Sequence, residues 1–197
     1  MLAPRKKLWS TPPSAVDHLV EHIPLGPRDV VLDIGCGDGR ILLQWAERVS
    51  LQQKQDDDKN PSTTQPQLTF LGIDIDASRI QECQQAAQQA QADGRIHPNV
   101  RLEFTCANAL ESVDHFQKAT VIFMYLIPRG LQLIYPLLKE HVERLHQQQP
   151  ATVVRVATYM SKLPKEAGPP KFRATCQVPH QPDAAWPLYF YEFKKKS

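Results

Sequence analysis

The chain has 197 residues, a formal net charge of +2 and a hydrophobic share of 42%. That length fits one domain with a real core, and the charge is too small to draw nucleic acid by bulk electrostatics. The four cysteines (Cys36, Cys83, Cys106, Cys176) show no CxxC pairing or metal-ligand spacing, no apolar run is long enough to span a bilayer, and the basic start MLAPRKKLWS lacks the apolar segment of a secretory signal. A reducing, cytoplasmic setting is expected, with a very short mitochondrial presequence as the alternative.

Residues 1–13 read as an N-terminal segment and 14–197 as the domain. WSTPP (9–13) is a loop, because two prolines fix φ and remove donors. SAVDHLVEHI (14–23) places Ala15, Val16, Leu19, Val20 and Ile23 at helical spacing, with Ser14 as its cap. After the turn PLGPRD, Asp29–Ile34 is an apolar run suited to a buried strand. Glycines follow at 35, 37 and 39, and Arg40–Val49 is an amphipathic helix. The glycines therefore sit at a strand-to-helix junction. Residues 51–67 are polar, charged and proline-containing, and are expected to form a mobile, solvated insertion.

LTFLGIDID (68–76) is the second strand and Ala77–Ala92 a Gln/Ala-rich helix. VRLEFTCAN (100–108) is the third strand, and ATVIFMYLIP (119–128) the fourth, closed by Pro128. Gly130–His146 is a helix with Leu131, Ile134, Leu137, Leu138, Val142 and Leu145 on one side and Pro136 as a kink candidate. His115, His141 and His146 fall on predicted helical surfaces and are expected to be solvated. ATVVRVATYM (151–160) is the fifth strand. KFRATCQV (171–178) and PLYFYEFK (187–194) alternate in a way that suits an antiparallel pair. The C-terminal lysines read as a solvated tail. Five β-α repeats and two terminal strands imply a doubly wound, mainly parallel α/β sheet of seven strands. Its C-terminal edge is antiparallel and helices cover both faces. Ligands of such sheets bind outside the carboxyl ends of the strands, where the glycine turn lies.

VLDIGCGDGR (31–40) is not the dinucleotide fingerprint GxGxxG, because Arg40 stands where the third glycine belongs. Nor does a Gly-Lys-Ser/Thr follow, as a P-loop needs. Asp33 and Asp38 would repel a phosphate and suit a ligand with a cationic end. Asp74, at the carboxyl end of the second strand, is placed to accept hydrogen bonds from both hydroxyls of a ribose, or else to cap a helix. Asp76 reads as the N-cap of the next helix. Asn108 ends the third strand, where an amide can meet an adenine amine or simply make a turn.

VLDIGCGDGR, GIDID and CANAL, in this order, resemble the class I S-adenosylmethionine-dependent methyltransferases, whose fold is Rossmann-like. The resemblance implies S-adenosyl-L-methionine as cofactor, which carries a positive ammonium and sulfonium and no phosphate. It assigns Asp33 to the methionyl end, with Gly35, Cys36, Gly37 and Gly39 along the cofactor. Asp74 and Ile75 fall to the ribose, and Asn108 and Ala109 to the adenine. No metal is expected among these residues.

WSTPPSAVDHLV, DIGCGDGRI and VIFMYLIP together are similar to a small family of lysine-specific protein methyltransferases. That family includes the mitochondrial enzyme acting on the c-subunit of ATP synthase. MYLIP ends the fourth strand where methyltransferases of DNA bases and of glutamine often carry Asn/Asp-Pro-Pro-Tyr/Phe. The similarity implies a protein substrate, with Ser10, Thr11 and Pro12 in the loop ahead of the first strand, Tyr125 to Pro128 at the active-site rim, and Thr11, Pro12 and Pro128 at the substrate rim. Tyr125 would orient the amine, or else pack as a strand-end aromatic. A small-molecule methyltransferase of the same fold and a non-catalytic cofactor-binding protein are the alternatives. A monomer is expected, and nucleic acid is disfavoured as a partner.

Overall fold

The computed structural model describes residues 11–59, 67–116, 118–178 and 181–195. A single seven-stranded sheet runs in the order β3-β2-β1-β4-β5-β7-β6. Its strands are β1 (Val30–Ile34), β2 (Leu68–Asp74), β3 (Val100–Cys106), β4 (Val121–Met124), β5 (Val154–Tyr159), β6 (Phe172–Val178) and β7 (Gln181–Phe193). The first five are mutually parallel, and β7 lies antiparallel between β5 and β6. This is the predicted α/β architecture with its antiparallel edge. β7 starts earlier than the aromatic alternation showed, at Gln181.

The helices are α1 (Pro13–His22), α2 (Arg40–Lys59), α3 (Ala77–Ala92), the single turn α4 (Val113–Phe116) and α5 (Pro128–Gln148). Two apolar cores sandwich the sheet. On one face Val16 and Leu19 of α1, Leu42 and Trp45 of α2 and Cys83 of α3 are buried with Phe70 of β2. Trp45 meets Phe70 edge-on at 6.0 Å between ring centroids. On the other face Phe116 of α4 and Leu131, Ile134 and Leu138 of α5 close over Leu32, Ile122 and Met124. Because both faces are covered, β4 is buried at every position, which is why VIFM shows no polar alternation.

Three expectations are corrected. The segment 51–67 is not all loop, since α2 continues to Lys59; residues 60–66 lie outside the described residues. Gln, Lys and Asp extend a helix that the apolar face of residues 41–49 has already nucleated. Ser14 does not cap α1. The N-cap position is Pro12, without a side-chain cap, and the Ser14 hydroxyl donates to the Gln177 carbonyl at 3.3 Å. His141 and His146 are buried rather than solvated. His141 Nε2 donates to the Ala119 carbonyl at 2.8 Å, and burial holds its pKa below the usual histidine value. A neutral imidazole with its N–H satisfied is a tolerable core residue. The side chain of His115 lies outside the described residues.

Candidate active site

The order of the sheet reverses between β1 and β4, and the chain leaves both strands at their carboxyl ends into this crevice. The glycine turn fills one side. Gly35, Gly37 and Gly39 all have positive φ. Gly35 N–H and Cys36 N–H both donate to the Ile73 carbonyl, at 2.8 and 3.0 Å, which ties the turn to the end of β2. At Gly39 a side chain is barred twice over. Its φ is +71°, and a Cβ would lie 2.8 Å from Cys83 Sγ and 2.9 Å from the Phe104 ring. The Cys36 thiol turns inward and stays protonated, raised by its hydrogen bond with Cys83, by burial and by Asp33. Of Cys36, then, it is the backbone rather than the side chain that shapes the turn.

Three carboxylates converge beside this turn, and two of them are satisfied. Asp74 Oδ2 accepts from Gly37 N–H and its Oδ1 from Asp76 N–H, both at 2.9 Å. Asp38 is held by the Arg40 guanidinium, with Nε 2.9 Å from both carboxylate oxygens. Burial pushes the Asp38 carboxyl up, but Arg40 outweighs it and the net pKa lies below the usual value. Asp33 is different. It is 2% exposed, in the central strand β1 between Gly72 of β2 and Phe123 of β4. Among the described residues no donor and no cation pairs with it. Burial, then repulsion from Asp74 and Asp38, raise its pKa well above the carboxylate range. A buried acid without a partner is costly, and a bound cation would remove that cost.

Across the crevice Tyr125 follows β4. Its hydroxyl donates to Met160 Sδ at 3.0 Å, and its ring meets that of Tyr159 edge-on at 5.0 Å. Tyr159 and Met160 lie at the end of β5, brought alongside by the Met124–Thr158 register. Burial raises the pKa of both phenols, so both are neutral O–H groups at physiological pH. Met160 has φ +66°, an uncommon conformation for a long side chain, and its N–H donates to Pro187 of β7 at 2.8 Å. Leu126 bridges the two sides, since a Cβ on Gly35 would stand 3.2 Å from its Cδ2.

A family described as a methyltransferase domain matches residues 25–167, a span that holds the glycine turn, all three acids and the Tyr125–Met160 pair. The chain belongs to this family. The match and the architecture make it a class I S-adenosylmethionine-dependent methyltransferase, as the motifs implied. It is 25% identical over 133 residues to a protein-lysine N-methyltransferase of Saccharolobus islandicus, an alignment spanning 68% of each chain. In three dimensions it is similar to an RNA methyltransferase from Salinibacter ruber solved with S-adenosyl-L-homocysteine. That likeness has a TM-score of 0.60 and 21% identity over 95% of both chains. It is also similar to a precorrin 8W decarboxylase from Methanobacterium thermoautotrophicum, at TM-score 0.58 and 14% identity over 92% of this chain and 91% of that one. The two structural likenesses show the fold.

The methyltransferase places its other candidate residues unevenly around the crevice. Ile75, 62% exposed, stands just beyond Asp74, whose carbonyl accepts from Ala107 N–H at 2.9 Å. Asp76 caps α3 as expected, accepting from Ser78 N–H and Arg79 N–H. Asn108 makes a turn: its Oδ1 accepts from Leu110 N–H and its Nδ2 donates to Glu111. Ala109 is half-buried within this turn. Thr11 and Pro12 are buried at the start of α1, and among the described residues no hydrogen bond or ring contact joins them to Tyr125; Ser10 lies outside the described residues. Pro128 is exposed at the first position of α5, and no described helix is long and apolar enough to cross a membrane. Sequence reasoning missed Tyr159 and Met160. The TYM that ends the fifth strand was the available signal. It also missed Gly72, where a Cβ would lie 2.5 Å from the Phe104 ring.

Proposed function

We propose that the protein transfers a methyl group from S-adenosylmethionine to the side-chain amine of a protein lysine. The observation that carries the donor half is the unpartnered, buried Asp33 among satisfied neighbours. That donor set fits a cationic nucleoside: Asp33 for the positive methionyl end, the glycine turn of residues 35–39 for close approach, and Asp74 with Ile75 for the ribose. Asn108 and Ala109 border the adenine end, where Asn108 keeps an amide N–H and a lone pair beyond those used in its turn. When bound, the cofactor supplies an electrophilic methyl group on a sulfonium centre.

The acceptor half rests on the Tyr125–Tyr159–Met160 cluster and on the lysine-methylating relative. An aromatic mouth disfavours the charged form of an entering ammonium and so promotes the free amine. The Tyr125 hydrogen is engaged by sulfur, which leaves its oxygen lone pairs to accept an N–H and aim the nitrogen. Ring faces of Tyr125 and Tyr159 attract whatever positive charge develops on that nitrogen. Alignment supplies most of the acceleration in such a displacement. Thr11, Pro12 and Pro128 complete the rim in this reading.

The test is labelling of an extract of the protein's own cells with tritiated S-adenosylmethionine, followed by separation by size and peptide mass spectrometry. The expected result is label on lysine of one or a few polypeptides, lost with Asp33→Ala. Label confined to RNA or to small molecules would reject the lysine assignment and leave the donor assignment standing.

A further inference from the structure

We infer that His18, Glu21 and His22 of α1 form a binding site for one divalent transition-metal ion of the zinc class. Their spacing of three and four residues puts all three side chains on one helix face. Each offers one ligand atom, and these atoms lie within 4.8 Å of one another. His18 Nδ1 is 3.9 Å from Glu21 Oε2, and His22 Nε2 is 3.6 Å from that same oxygen. In a tetrahedral zinc site neighbouring N and O ligands stand about 3.3 Å apart. The two histidine–glutamate separations are within about 0.6 Å of that value, and the largest separation allowed between the three ligand atoms closes by about 1.5 Å, within reach of side-chain rotation.

The surroundings prepare the ligands. His18 Nε2 lies 3.2 Å from the Thr175 carbonyl, an acceptor, so this nitrogen must carry the hydrogen. The Nδ1 lone pair then points at the cluster, and this atom is buried with no hydrogen-bond partner among the described residues. A metal-binding histidine is commonly oriented in this way, with its other N–H on a backbone carbonyl. The His22 ring packs against Phe172 at 4.2 Å and Phe190 at 5.4 Å, and it stacks on His18 at 6.0 Å. Both imidazoles are thus held in place before any ion arrives, while the exposed Glu21 leaves a path from solvent.

Two imidazole nitrogens and one carboxylate oxygen suit zinc, nickel or copper rather than calcium or magnesium, which prefer all-oxygen shells. Three protein ligands leave a fourth position for solvent. The neighbours of this cluster are Thr175 and Phe172 of β6 and Phe190 of β7, not the glycine turn or Tyr125. The ion would stiffen the last turns of α1, which His18 joins to Thr175 of the edge strand β6, and stand outside the methyl-transfer chemistry.

Full-length protein stripped with a chelator should be titrated with Zn2+ by calorimetry, with Tm followed in parallel. The expected result is one ion per chain and a rise in Tm, because the ion binds the native state selectively. His22→Gln and Glu21→Gln should each weaken binding about tenfold or more. Glu21→Gln guards against a folding artefact, since its side chain is 68% exposed. Glu143→Gln, at an exposed acid on α5, should bind as the unmutated protein does. Absence of binding at about 0.1 mM Zn2+, an affinity too weak to be a built site, would overturn the inference. Equal affinity in the unmutated protein and both α1 variants would do so as well.

Discussion

The two sides of the crevice are built on different principles. On the β1–β2 side the backbone does the shaping: three left-handed glycines, two N–H groups on the Ile73 carbonyl, and Asp74 clamped between Gly37 and Asp76. One acid, Asp33, is left over. On the β4–β5 side shape comes from side chains on separate strands, and the polar groups are phenols and a thioether. The first side is a buried acid that a cation would ionise. The second is an apolar mouth with one aimed hydroxyl. A donor that is always the same molecule can be met by fixed backbone, whereas an acceptor is selected by side chains that can change without disturbing the turn.

The sharpest way to break this contrast is Asp33→Asn, and we expect it to have the largest effect. Removing one member of a buried charge pair costs about 3–5 kcal/mol, so S-adenosylmethionine affinity should fall roughly 100-fold or more in calorimetry. Stability should move the other way. Folding raises this carboxyl's pKa, so the native state holds the proton more tightly than the unfolded chain. The penalty is absent below the unfolded value of about 3.9 and grows as pH rises to the folded pKa. The ligand-free variant should therefore melt higher than the unmutated protein at pH 7, and the gain should shrink as pH falls towards 4. A variant that melts lower at pH 7 and still binds the cofactor would show that Asp33 is a structural residue.

The same contrast explains what could be read from the sequence. Asp33 with the glycines, and Asp74 with Asp76, are two short runs each local to a strand end, and the parallel β-α order and the family resemblance brought the two runs side by side. The Tyr125–Tyr159–Met160 cluster depends on the β4–β5 register, which brings together tyrosines 34 positions apart, and no local pattern encodes that. Asn108 was ambiguous because the amide that can meet a base is also a good turn-former, and the structure shows the turn. His141 was misread because polarity hid a burial made tolerable by one carbonyl, that of Ala119. The His18–Glu21–His22 spacing was visible, but it looks like the polar face of an amphipathic helix until Thr175 fixes the tautomer.

A smaller effect tests whether the turn is rigid because of conformation or because of close packing. Gly39 and Gly94 have nearly equal φ, +71° and +67°, but of the two only Gly39 is crowded; around Gly94 none of the described residues lies within 4 Å of an added Cβ. Left-handed strain alone costs about 1–2 kcal/mol, and overpacking adds about 1–3 kcal/mol. Gly94→Ala should lose only the first. Gly39→Ala should lose both, about 2–5 kcal/mol in urea unfolding. Equal losses would mean that Cys83 and Phe104 yield freely, and that the turn is fixed by dihedrals alone.

The smallest expected effect falls on the acceptor side. Tyr125→Phe keeps the ring and its edge-on contact with Tyr159 but deletes the hydroxyl that donates to Met160. A neutral hydrogen bond to a thioether is weak, so stability should change by less than about 1 kcal/mol. If the hydroxyl aims the amine, kcat falls about tenfold, or 1.4 kcal/mol, while cofactor affinity is untouched. The split between kcat and KM carries the argument. An aiming group acts on the aligned complex and lowers kcat, whereas a lost packing contact that loosens the mouth raises KM with kcat preserved. Tyr159→Phe is the companion: its ring supplies the wall, so its hydroxyl should matter less than that of Tyr125. An unchanged kcat in Tyr125→Phe would reduce Tyr125 to the strand-end aromatic that the sequence left open, and the aim of the amine would then have to come from the walls of the mouth.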